Sequence, residues 1–141
     1  MKKPRFVGCY DVRFLDDGRM AQMRSTLTFI DSAGCDHYAP KNFIFDGGSI
    51  PRFFWRTIGP PFTGRARKAY PIHDWECARA RDREAFPDRW ATRAAADRTL
   101  REMCLALHVR RWKAAAVYVG VRIGAAKEAA LRGLRPIVAT A

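Results

Sequence analysis

No run of apolar residues in this chain is long enough to cross a bilayer. A spanning helix needs ~20 predominantly apolar residues. The longest weakly polar stretch, Ala114–Ala126, is interrupted by Arg122. The opening MKKPRFVGCYDVRF has two lysines but no apolar segment behind them, so no signal peptide is expected. These absences predict a protein that is not transmembrane, is made in the cytoplasm, and leaves by lysis or as part of a particle.

Paired cysteines are also missing. Cys9, Cys35, Cys77 and Cys104 form no C-x-x-C, and the gaps between them are 26, 42 and 27 residues. That spacing suits neither a zinc site nor a small disulfide scaffold. Free thiols are expected. Acidic residues are few: 14 Asp/Glu stand against 26 Lys/Arg, a formal net charge of +12. The excess is uneven. Residues 1–50 hold seven Lys/Arg and six Asp/Glu, whereas residues 51–141 hold nineteen and eight. A basic C-terminal part fits an anionic partner or a solubilising surface equally well. Helix-turn-helix, zinc-finger and RNP patterns are lacking, so sequence-specific nucleic-acid recognition is not expected.

What is present divides the chain into four parts of one domain. Residues 1–45 are strand-rich. Residues 5–15 and 20–30 flank an Asp16-Asp17-Gly18 turn, a hairpin signal. Asp31-Ser32-Ala33-Gly34 is a second turn, and residues 35–45 add a strand ending at Phe43-Ile44-Phe45. Residues 46–70 combine Gly, Pro and aromatics, which predicts an ordered loop, because aromatic clusters favour burial. Residues 71–131 have helical periodicity: a helix at about 71–82 begun by Pro71, a second at about 89–107 capped by Asp88, and a third at about 111–131 ended by Gly133 and Pro136. Residues 132–141 form a tail. The predicted class is α+β, with N-terminal antiparallel strands, the Gly/Pro loop, and two or three C-terminal helices.

Three groups of residues could carry chemistry. His73 lies early in the first helix, and Asp97 lies mid-way along the second, on the side of Leu100 and Cys104. A carboxylate on an apolar face needs a partner. A His73–Asp97 contact between helices would either build a general base or act as a structural hydrogen bond. Asp74 points about 100° away from His73, towards the preceding loop. There Ile58, Gly59 and Pro61 could add backbone carbonyls to its carboxylate, a hard-oxygen set suited to calcium; the alternative is an Asp74 that accepts loop N–H groups. The turn Asp46-Gly47-Gly48-Ser49-Ile50-Pro51 is neither a P-loop nor a nucleophile elbow. It is read as a turn locked by Asp46.

The runs FDGGSIPRFFW, IGPPFTGRARKAYPIHDW and AADRTL together resemble a family of tailed-phage and prophage proteins catalogued as domain of unknown function 1353. That resemblance covers about residues 43–104. It implies a bacterial, phage-type protein, virion- or tail-associated, with other phage virion proteins as partners. A second resemblance is to parvovirus-type and secreted phospholipases, in the order Gly-Pro turn, His-Asp, Ala-Asp. It implies His73 as general base, Asp97 as its orienting carboxylate, and calcium at Asp74 with the Ile58, Gly59 and Pro61 carbonyls. The sequence departs from both patterns at Cys77, where an aromatic is expected. Three functions follow: a virion accessory protein; a calcium-dependent phospholipase-like ester hydrolase acting on an anionic lipid or envelope surface; and a basic host-factor or nucleic-acid binder.

Overall fold

A computed structural model describes residues 2–16, 20–46, 56, 62, 64–81 and 89–134. Among these, six short strands precede three helices: β1 (Arg5–Val7), β2 (Val12–Phe14), β3 (Ala21–Met23), β4 (Leu27–Ile30), β5 (Asp36–Ala39), β6 (Ile44–Phe45), α1 (Ala69–Ala80), α2 (Arg89–Ala106) and α3 (Arg111–Leu134). The α+β arrangement is as the sequence predicts.

The strands differ from expectation in one respect. Each of the three long predicted strands is broken in the middle. The halves form two antiparallel sheets of order β1-β4-β5 and β2-β3-β6. Register shows that they are one meander bent across its width. Arg5 pairs with Ile30 and Phe14 with Ala21, rungs of a single alternation. Leu27 opposite Ala39 and Ala21 opposite Phe45 belong to a second.

The bend has local causes. Gly8 has φ +94°, and a Cβ there would meet the Thr26 carbonyl oxygen at 2.9 Å. Pro40 lacks an N–H, and Asn42 sits at φ 73°. Period-two burial continues through the bend. Ala21, Met23, Leu27 and Phe29 of the central strand are all fully buried.

The helices stack outward from this face. α1 packs on β4, β5 and β6, α2 on α1, and α3 on α2. Ile72, Leu100, Met103, Cys104, Val117 and Val121 join the strand residues in one core. α1 begins at Ala69, two residues earlier than expected, with Pro71 still in its first turn, where its missing N–H costs nothing. α3 continues through Gly133 to Leu134, so Gly133 does not end it. Between α2 and α3, His108 adopts φ 62°, and the Val109 N–H returns to the Cys104 carbonyl at 3.0 Å. That closes α2 with a left-handed residue in the position glycine usually takes. The expected Asp17-Gly18 turn, the Asp88 cap and the tail beyond Leu134 lie outside the described residues.

Candidate functional site

α1 and α2 place His73 and Asp97 opposite each other. His73 Nε2 donates to Asp97 Oδ1 at 2.7 Å, and both side chains are fully buried. α2 supplies a second donor one turn back, where Arg93 Nε reaches the same oxygen at 3.3 Å. α3 supplies the third, with Arg122 Nη1 on Asp97 Oδ2 at 2.8 Å. One carboxylate in the middle helix therefore ties all three helices. Glu128 of α3 extends the network to Arg93 Nη1 and Arg81 Nε, each at 3.4 Å.

The electrostatics follow from this crowding. Burial disfavours a charged imidazole, but Cys77 and the Asp97 carboxylate outweigh it and raise the His73 pKa. Burial would likewise raise Asp97, but the bonds from His73 and Arg122 and the charges of His73 and Arg93 hold its carboxyl below the ordinary range. The buried Asp97 carboxylate thus has His73, Arg93 and Arg122 around it, and these donors offset its desolvation.

Above this network lies a cleft of about 490 Å³. Its lining includes Asp46, Asp74, Cys77, Arg81, Arg93 and Glu128, with Phe43 and Phe45 on the strand side. Asp46 from the Gly-rich turn and Asp74 from the His-Asp pair, distant in sequence, thus open on the same space. Asp74 Oδ1 lies 4.0 Å from His73 Nδ1. Gly47, Gly48, Ser49 and Pro51 of the turn, and Ile58, Gly59 and Pro61 of the anticipated carbonyl set, lie outside the described residues.

His73, Cys77 and Asp97 offer three ligand atoms within 4.8 Å of one another. The 2.7 Å His–Asp separation is a hydrogen-bond distance. Ligands about 2.0–2.3 Å from a tetrahedral ion stand farther apart. Arg93 and Arg122 on the same carboxylate also oppose a cation, so this cluster does not fit a metal. Asp46 and Asp74 are hard-oxygen donors of the type calcium takes.

The model of a family described as a protein of unknown function, DUF1353, matches residues 21–121. The chain belongs to the DUF1353 family. The matched segment of this DUF1353 domain carries the central strand, all of α1 and α2, and the first part of α3, so it includes Asp46, His73, Asp74 and Asp97. A similar sequence is the "Uncharacterized protein y4jT" of Sinorhizobium fredii (strain NBRC 101917 / NGR234), 39% identical over 62 residues. That match takes in 44% of this chain and 18% of the relative, so the DUF1353 chain spans a small part of that longer protein. No solved structure matches the chain.

Sequence reasoning missed one cluster. His37 of β5 bridges Asp31, at 2.8 Å from Nε2, and Glu76 of α1, at 2.5 Å from Nδ1. Hydrogen bonding to Glu76 is the largest cause raising its pKa to about 9. The available signal was a histidine set among Asp31, Asp36 and a predicted turn. Its helical partner Glu76 is distant in sequence and could not be foreseen.

Proposed function

We propose that this chain is a phage- or prophage-type accessory domain that works beside other virion proteins. In it, the His73–Asp97 pair fastens three helices beneath a ligand-receiving cleft. One observation carries the fastening role: His73 is fully enclosed, and both Asp97 oxygens are occupied by cationic donors. A general base must be neutral and in reach of the proton it takes. The enclosure of His73 works against the second condition, and the raised pKa its neighbours impose works against the first. The phage setting is supported by the motif resemblance, and the expected location is the bacterial cytoplasm followed by the particle.

The test has two arms. NMR titration of the imidazole nitrogens should find His73 protonated throughout neutral pH. Anionic phospholipid vesicles mixed with the protein should release no fatty acid, with or without calcium. Calcium-stimulated release that disappears in His73→Ala would replace this reading. Mass spectrometry of particles purified after prophage induction should detect the chain. Its absence from particles would remove the virion role.

A second reading is favoured by one distance. His73 Nδ1 lies on the side of Asp74, which lines the cleft. In a phospholipase-like hydrolase, His73 would lose its extra proton and take one from water, with Asp97 holding Nε2. Asp74 and Asp46 would hold calcium, which supplies polarisation of an ester carbonyl. Arg81 and Arg93 in the same cleft weaken such a site by like charge.

A further inference from the structure

α3 carries an apolar stripe that no part of the described chain covers. Trp112, Val119 and Ile123 are 58%, 51% and 61% exposed. Their spacing of seven and four residues keeps them on one side of a helix. Ala116, Ala126 and Ala130 fall on the same side, the last two exposed. At a rise of 1.5 Å per residue the stripe runs for roughly 27 Å from Trp112 to Ala130. The opposite side of α3 is the packed one, with Ala114, Val117, Val121 and Ala125 buried.

The charges around the stripe are of one sign. Arg111 and Lys127 are exposed beside it, and Lys113 Nζ lies 5.5 Å from the Trp112 ring centre. Arg110, just before the helix, is also exposed. Glu128, the acid within α3, faces Arg81 and Arg93 instead. An apolar stripe rimmed by cations matches a helix lying in the interface of an anionic bilayer, with basic side chains reaching the headgroups. A second copy of the chain is a poor occupant, because pairing two such stripes would set cation rim against cation rim. No described helix is long and apolar enough to cross a membrane, which agrees with a surface-lying mode.

We infer that the exposed face of α3, built on Trp112, Val119 and Ile123 and rimmed by Arg111, Lys113 and Lys127, docks the protein on anionic lipid surfaces. This goes beyond the proposed accessory role and uses no residue of the cleft. Failure of one therefore leaves the other standing.

Co-flotation of the full chain with phosphatidylglycerol vesicles tests it, with phosphatidylcholine vesicles as the neutral comparison. Binding is expected to the anionic vesicles alone and to weaken with added salt. Ile123→Asp should reduce affinity at least tenfold, because burial of one large apolar side chain is worth about that factor or more. Lys127→Ala should reduce it about fivefold, the usual contribution of one cation near such a surface. Both sites are exposed, so the melting temperature should stay unchanged and report intact folding. Equal binding by wild type and Ile123→Asp would overturn the proposal, as would no binding to anionic vesicles. Light scattering that finds a dimer split by Ile123→Asp would assign the stripe to a second copy and overturn it as well.

Discussion

Arg122 reaches Asp97 from a different helix and closes the oxygen that His73 leaves open, at 2.8 Å. The carboxylate therefore has no face turned to an apolar neighbour without a donor. Removing it strands the His73 imidazole and two guanidinium groups in or near the core. Asp97→Ala should destabilise the protein by about 3–5 kcal/mol, the range for breaking a buried pair from one side. Thermal unfolding should fall by on the order of 10 °C. Asp97→Asn keeps the shape and one acceptor and should cost less. A melting point of Asp97→Ala within ~2 °C of wild type would dismiss the fastening role.

The His37 bridge predicts a pH dependence. Its pKa is raised to about 9, so its contribution to stability is complete below its ordinary value of 6.5 and is lost as pH rises through 9. Asp31 acts in the opposite direction. Burial, the largest single influence, pushes its pKa up, but the bonds from His37 and the Cys35 and Ala33 backbone, with the His37 charge, together lower it, so its contribution is present above 3.8 and lost on further acidification. Urea midpoints measured between pH 6 and pH 10 should decline across the upper part of that range. In His37→Ala the decline should be much smaller. An unchanged slope in the variant would refute the assignment.

Tyr70 is 1% exposed, and its hydroxyl has no hydrogen-bond partner among the described residues. An unpaired buried hydroxyl costs about 1–3 kcal/mol. Tyr70→Phe removes the oxygen and keeps the ring, so it should raise the melting temperature by a few degrees. A lower melting temperature would show that the hydroxyl is partnered in solution.

All four cysteines are free, with Cys9 and Cys35 exposed and Cys77 and Cys104 buried. Burial pushes the Cys104 thiol up to about 12, far from the reactive thiolate. A thiol reagent should therefore modify two groups quickly in the native protein and four after denaturation. Four fast groups without denaturant would contradict the burial of Cys77 and Cys104.

These features were legible to different degrees. The class of the fold was readable because alternation in 20–30 and helical spacing at Leu100, Met103 and Cys104 are local patterns. The pairing of His73 with Asp97 was readable because a buried carboxylate needs a partner, and a neighbouring helix offered one. Arg93 and Arg122 were not foreseen as its other partners, since arginines on helices usually face water. The breaks in the strands escaped notice as well. Gly8, Pro40 and Asn42 each look tolerable alone, and only their alignment on the two strands flanking the central one bends the sheet. Glu76 could be matched to His37 only once α1 was seen to cross β5.

The shared register of the two half-sheets sets a rule for insertions and deletions. Met23 and Leu27 both face the core because an odd number of residues, Arg24 to Thr26, separates them. Adding or removing one residue there would turn Leu27 and Phe29 outward while Ala21 and Met23 stayed inward, since strand side chains alternate strictly. Adding or removing two would keep both halves in phase. Length variation at this bend should therefore come in pairs, or be matched by compensating changes in the strands on either side.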